Sequence, residues 1–358
     1  MRVDLALVGF GHVGRRFARL LEERRDWLAL DYDLECRIVG IATRHHGAVF
    51  RESSLDAVAM AVAVEGGHPI VQPGTEAADS FDVIGRLATT DATLKVVVET
   101  TTLDITAGQP AIDHVRAALQ AGCHVTTANK GPAAFAYEEL SVLAADRGRS
   151  FLFEGAVMDG VPIFNLARET LPAVQISGFR GVVNSTTNHI LSAIEDGESF
   201  DAALQRMQAM GIAEADPSLD VDGWDAAAKT SALANVLMRA RMTPQAVDRE
   251  GIGPQTARLA MAAKARGARV RLVASAQLTA DGVKTSVRPV ELPEDDLLAG
   301  LRGMANALVL QTDLLGEIAI CQLGGSLTQT AYALLSDLIT IRRRQLPAPH
   351  AAGPGRTP

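Results

Sequence analysis

The segment Gly9-Phe10-Gly11-His12-Val13-Gly14 constrains this chain more than any other feature of its sequence. It comes after a short apolar run from Val3 to Val8 and leads into Arg15 to Glu23, where Phe17, Leu20 and Leu21 recur at helical spacing. A glycine cluster between a buried strand and a helix has few physical uses. Gly9 allows a tight turn, Gly11 lets the backbone approach a pyrophosphate, and Gly14 permits close packing of helix on strand. The first helical N–H groups, at His12 and Val13, and the positive end of the helix dipole then favour an anion. In this context the pattern predicts a dinucleotide site.

The next 130 or so residues have the alternation that such a site requires. Runs at Arg37 to Ala42, Lys95 to Glu99, His124 to Thr127 and Phe151 to Phe153 read as strands; Gln109 to Ala121 and Glu138 to Arg147 read as helices. Strands that lack polar alternation and alternate with helices predict an α/β fold, a Rossmann-like doubly wound parallel sheet covered on both faces. Beyond residue 150 the texture changes. Val174 to Val183 reads as a strand, and Ile190 to Glu195, Phe200 to Met210, Asp225 to Ala240 and Gln255 to Ala265 read as helices. Val270 to Leu278 and Lys284 to Leu292 form a hairpin about the turn signal Thr279-Ala280-Asp281-Gly282. The expectation is a cofactor domain over 1–150, completed by a C-terminal helix over about 318–344, and a second α+β domain over 151–317. The Pro-, Ala- and Gly-rich stretch 345–358 is expected to be disordered.

Composition excludes several classes of partner. A net charge of −8 argues against nucleic acid or an anionic membrane surface, and no apolar run is long enough to span a bilayer. Cys36, Cys123 and Cys321 have neither disulfide-framework nor zinc-ligand spacing, which points to a reducing cytoplasm. Of 34 basic residues only five are lysines, so Lys130 and Lys229 stand out.

The cofactor's 2′ position is read at the end of the second strand. Here that strand runs into Ala42-Thr43-Arg44-His45-His46, without a carboxylate. A carboxylate would repel a 2′-phosphate and Arg44 would attract one, so NADP(H) is expected over NAD(H).

Four segments carry a resemblance. They are Ala128-Asn129-Lys130-Gly131-Pro132, preceded by Glu99-Thr100-Thr101-Thr102; Glu154 to Pro162; Asn184-Ser185-Thr186-Thr187-Asn188; and Gly211 to Lys229. Together they resemble the homoserine dehydrogenases, in their short monofunctional form without an ACT domain. The resemblance implies interconversion of L-aspartate-4-semialdehyde and L-homoserine in threonine, methionine and isoleucine biosynthesis, by a homodimer. Lys229 would be the proton donor, Lys130 would lie between nicotinamide and substrate, and Asp225 would orient the site. Asp225 and Lys229, four apart on one helix, share a face, and burial is expected to lower the lysine's pKa. Glu214 would bind the substrate ammonium with Asp220 beside it, and Ser185 and Thr186 would form a substrate-contacting turn. Thr100, Thr101, Gly324 and Gly325 would approach the cofactor. Glu154, Val157, Asp159 and Val161 would offer oxygens to a monovalent cation, usually sodium; Asp159 stands where the family commonly has a small residue. Two other readings stay open on the sequence, a related amino-acid dehydrogenase (aspartate dehydrogenase-like) and a catalytically silent NADPH-binding regulator.

Overall fold

In the computed structural model, which describes residues 1–210 and 216–345, two sheets organise the chain. The first has seven strands: β1 (Arg2–Val8), β2 (Glu35–Ala42), β3 (Ala48–Phe50), β4 (Glu76–Ala77), β5 (Leu94–Glu99), β6 (His124–Thr127) and β7 (Phe151–Leu152). Their spatial order is β4-β3-β2-β1-β5-β6-β7. The five strands from β2 to β7 in that order are parallel, and β3 and β4 add an antiparallel edge. The core strands are apolar because both faces are covered. Leu5, Leu7, Val96 and Val98 meet Phe17 and Leu20 of the helix His12–Glu23 on one face, while Ala6, Val8, Val97 and Val125 meet the interior shared with the second domain. Asp4 lies fully buried in β1, where the Arg37 guanidinium grips both of its oxygens at 2.9 Å. A fork of that geometry is what lets a charged group enter such a strand.

The second sheet contains β8 (Ile176–Val182), β9 (Asp248–Arg249), β10 (Ala268–Thr279), β11 (Gly282–Pro293), β12 (Asn306–Thr312) and β13 (Gly316–Gln322). Its order is β13-β12-β8-β10-β11-β9. The β10–β11 hairpin closes Thr279 against Gly282, so the loop is Ala280-Asp281. Residues 318–322 are therefore part of an edge strand and not the start of the C-terminal helix. That helix is Leu327–Arg344, begun by the Ser326 side chain accepting from the Gln329 N–H. Its residues Ala331, Leu334, Leu335, Leu338 and Ile341 join the core of the first sheet. The helix expected from Ile190 begins earlier, at Ser185, so Ser185 and Thr186 form a first helical turn and not a free turn. Ser, Thr and Asn are indifferent helix formers, and the Asn184 cap together with burial of Thr186, Thr187 and Asn188 decides the matter. Residues 346–358 of the expected disordered tail lie outside the described residues. Among the described residues no helix is long and apolar enough to cross a membrane.

Two buried charge arrangements lie away from the sheet edges. Arg271 of β10 is wholly buried; it donates to the Glu195 carboxylate at 2.6 Å and to the carbonyls of Val270, Ala299 and Leu301. Asp337 of the last helix accepts from the Thr126 hydroxyl at 2.8 Å and the Glu154 N–H at 3.1 Å. Burial pushes the Asp337 carboxyl up to about 6 against those hydrogen bonds. Burial, and then the charge of Asp337, push Glu154 up to about 7.

Both arrangements can be tested through stability. Glu195→Ala leaves the Arg271 charge buried without its partner, and urea titration should show a loss of about 3–5 kcal/mol. Because Asp337 is harder to ionise folded than unfolded, its contribution to stability is full below the ordinary aspartate range and is lost as the pH rises through about 6. Asp337→Asn removes that dependence. The midpoint of the variant relative to the parent should rise between pH 4 and pH 7, and parallel pH profiles would refute the assignment.

Candidate active site

The glycine turn is built by steric necessity. Gly9 has φ of +91°, and a Cβ there would lie 2.6 Å from the Thr100 carbonyl carbon. A Cβ at Gly14 would lie 2.7 Å from the Gly9 oxygen. Two contacts pin the turn to the end of β5: the Thr100 N–H donates to Val8 at 2.7 Å and the Thr100 hydroxyl donates to Gly9 at 2.8 Å. At Gly11 the situation differs, since a Cβ would meet no protein atom within 4 Å. No side chain caps the following helix and no acidic residue occupies its first turn. Its N–H groups and positive dipole end at His12 and Val13 are thus uncompensated, the requirement for holding a pyrophosphate. Arg44 is exposed in the turn after β2, where it makes no hydrogen bond or ion pair with any described residue.

Beside the turn, two loops at the carboxyl edge of the sheet are wired together. The buried Glu99 carboxylate accepts from the Thr101 N–H at 2.8 Å, the Thr101 hydroxyl and the Thr127 hydroxyl at 2.7 Å. Burial without a basic partner raises its pKa, and these three donors oppose the rise. Asn129 completes the link: its amide donates to the Thr101 carbonyl at 2.9 Å, and its oxygen accepts from the Gly131 N–H at 2.8 Å. Lys130 is carried between these fixed points.

Lys130 and Lys229 converge on one carboxylate. The Asp225 oxygens lie 3.3 Å from the Lys130 Nζ and 2.9 Å from the Lys229 Nζ. Lys229 also donates to the Val183 carbonyl at 2.6 Å, which uses a second of its three N–H bonds. Burial opposes ionisation of Asp225, but the two ammonium groups and the Asn184 amide outweigh it and hold its pKa well below the usual range. Lys229 shows the reciprocal effect. The lowering expected from burial does operate, yet Asp225 reverses it and the lysine's pKa is raised. Lys229 is therefore a firm ammonium in the cofactor-free protein.

Asn184 belongs to a segment that carries the resemblance, but the sequence reading assigns it no role of its own. Its amide nitrogen donates to Asp220 at 2.6 Å and to Asp225 at 2.9 Å, while its oxygen caps the helix Ser185–Glu195 through the Thr187 N–H. The available signal was its place just before a Ser-Thr-Thr run, an N-cap position. Burial and the neighbouring Asp225 charge raise the pKa of Asp220, opposed by hydrogen bonds from Asn184 and Thr186. The Ser185 hydroxyl accepts from the Asn306 amide at 2.8 Å. Glu214 lies outside the described residues.

The Glu154–Val161 loop sits beneath this cluster. The Glu154 carboxylate is committed to the N–H groups of Phe164 and Asn165, both at 2.8 Å, so only its backbone oxygen could serve a cation. The Val161 carbonyl accepts from Ile163, whereas those of Val157 and Asp159 accept from no described residue. Open carbonyls of this kind fit a monovalent cation, and among the described residues no cluster of three acidic, histidine or cysteine side chains suits a transition metal. Asp159, at φ of +46°, accepts from the Gln322 amide at 3.0 Å and the Thr330 hydroxyl at 2.9 Å. Its side chain thereby ties the loop to the end of β13 and to the last helix. Gly325 passes so close that a Cβ would lie 2.6 Å from the Asp159 carboxylate; Gly324 is open. The Arg16 guanidinium donates to Thr328 at 2.9 Å, which holds the start of the last helix beside the glycine-turn helix.

Known proteins share this arrangement over its whole length. A family model described as the NAD binding domain of homoserine dehydrogenase matches residues 9–154, and one described as homoserine dehydrogenase matches residues 162–339. The chain is 36% identical over 342 residues to the NAD(+)-dependent homoserine dehydrogenase of Pseudomonas canavaninivorans, covering 95% of this chain and 96% of that protein. The crystal structure of a homoserine dehydrogenase from Thiobacillus denitrificans superposes with a TM-score of 0.81 at 30% identity, covering 97% of this chain and 76% of that one. A hyperthermophilic archaeal homoserine dehydrogenase in complex with NADPH superposes with a TM-score of 0.78 at 28% identity, covering 97% and 99%. With the second sheet, the glycine turn and the lysine pair inside the matched regions, the chain belongs to the homoserine dehydrogenase family.

Proposed function

We propose that the protein interconverts L-aspartate-4-semialdehyde and L-homoserine, with NADP(H) preferred. The observation that carries this reading is the pair of ammonium groups on Asp225, next to an uncapped helix N-terminus at the carboxyl edge of the first sheet. A reduced nicotinamide cofactor held through its pyrophosphate at the glycine turn would supply the hydride that reduces the aldehyde carbon. Negative charge then develops on the aldehyde oxygen, and Lys229 meets it with a positive charge and a proton. The raised pKa of Lys229 keeps it protonated, so the ammonium is in place when that charge develops. In homoserine oxidation the same group must first be neutral, so that direction runs better at alkaline pH. Lys130 adds a second positive charge, and Asp225 keeps both ammoniums in place. Ser185, Thr186, Asp220 and Glu214 serve the amino-acid end of the substrate. Thr100, Thr101, Gly324 and Gly325 line the cofactor.

Residues 1–150 with the last helix act as the cofactor domain, and the second sheet acts as the substrate and dimerisation domain of a cytoplasmic homodimer. The backbone oxygens of Glu154, Val157, Asp159 and Val161 serve a sodium-like cation. Preference for NADP(H) rests on Arg44, an unengaged guanidinium at the end of β2 with no carboxylate beside it.

Lys229→Ala should lower kcat at least about 10²-fold, the usual effect of removing a positioned acid. Single-turnover reduction with bound NADPH measures it, and circular dichroism checks the fold. Near-normal hydride transfer in a folded variant would remove Lys229 from the mechanism. Arg44→Ala should raise KM for NADPH much more than for NADH in parallel absorbance assays. Equal changes for both cofactors would show that Arg44 does not read the 2′-phosphate.

A further inference from the structure

We propose that Asn184 is a positioning residue for the reaction: its single amide holds Asp220 and Asp225 together, and through Asp225 it fixes both ammonium groups at the reacting centre. The inference rests on the dehydrogenase reading above. It starts from a conflict in the geometry. Two carboxylates meet at the amide nitrogen of the buried Asn184, at 2.6 and 2.9 Å, in a part-buried setting where like charges repel. The lysines compensate on one side only, since both lie on Asp225. Asp220 forms no ion pair with any described residue and depends on the Asn184 amide and the Thr186 hydroxyl. The charged groups facing this cluster are Asp159, Asp220, Asp225, Lys130 and Lys229.

Asn184 can do this because its other end is anchored. Its oxygen accepts from both the N–H and the hydroxyl of Thr187, which fixes the amide plane and so the direction of both N–H bonds. An amide used fully in this way has no freedom to follow one aspartate and leave the other. The same residue begins the helix that carries Ser185 and Thr186, so the amino-acid end and the proton-donating end of the site share one reference point.

Capping and bridging can be separated by substitution. Serine caps a helix about as well as asparagine but has no second donor to place between the carboxylates. Asn184→Ser should therefore keep its thermal midpoint and its NADPH affinity, yet lose at least tenfold in kcat for homoserine oxidation, with a smaller change in KM. In an Asp220→Asn background there is no carboxylate pair to separate, and the same substitution should cost less than threefold; such non-additivity marks groups that act through one another. The carboxyl groups can also be followed directly by ¹³C NMR in the cofactor-free protein. Loss of the shared donor should shift the titrations of Asp220 and Asp225 to higher pH. Should the serine variant not fold, Asn184→Thr offers a neutral cap without the amide and serves the same measurements. Equal losses in both backgrounds, a change confined to KM, or carboxyl titrations that do not move would each overturn the proposal. A parent protein that does not oxidise homoserine would instead overturn the dehydrogenase reading, and the carboxyl titration would still decide whether Asn184 bridges the aspartates.

Discussion

One carboxylate, Asp225, holds two ammonium groups that come from different parts of the fold. Lys229 is on its own helix, one turn away, but Lys130 is delivered by the first sheet. The ion pair therefore spans the junction between the two sheets, and it makes sense only if the end of β6 and the start of the helix Trp224–Met238 are held in fixed relation. Much of the surrounding structure meets that demand. Asn235 donates to the carbonyls of Ala133 and Ala134, which seats the helix Trp224–Met238 on the short helix after Lys130. Glu99 and Asn129 lock the loops on the opposite side.

The same interaction decides a question of charge. A buried lysine by itself tends to lose its proton, and a buried aspartate tends to gain one. Placed together they reverse each other's tendency, and the result is a site that keeps both charges. Lys229 can thus be both desolvated and strongly basic, a combination that burial by itself would not produce.

Legibility in the sequence varied with the range of the interaction. Strand β6 could be read to the residue, because the β-branched run Val125-Thr126-Thr127 between Gly122 and Asn129 leaves little choice. The glycine turn was equally plain, since the positive φ of Gly9 and the approach of Gly14 to Gly9 are local. Strand β13 was hidden, because its residues alternate in exposure at a sheet edge and its turn, Asp313-Leu314-Leu315, lacks the usual turn residues apart from the aspartate. In the site, the spacing of Asp225 and Lys229 could be read from one helix. The pull of Asp225 on Lys229's proton, the share taken by Lys130, and the bridging amide of Asn184 could not. The first depends on how deeply the helix is buried, the second on the meeting of the two sheets, and the third on the packing of the Asn184 turn against residues 218–225. Asp159 is a similar case: as a departure from the family pattern it was visible, but its bonds to Gln322 and Thr330 were not.

The return of the last helix to the first sheet has a consequence for the way the chain is made. Leu5, Leu7, Phe17 and Leu21 emerge from the ribosome long before Leu334, Leu335, Leu338 and Ile341, which share their core. Until that helix emerges, the first sheet has one face without part of its cover. Such a surface invites association with other chains or with a chaperone. The second sheet, whose strands lie between residues 176 and 322, has all of them before that helix begins. The order of synthesis and the order of completion are thus opposed, and the half that holds the nucleotide turn is the last to become whole.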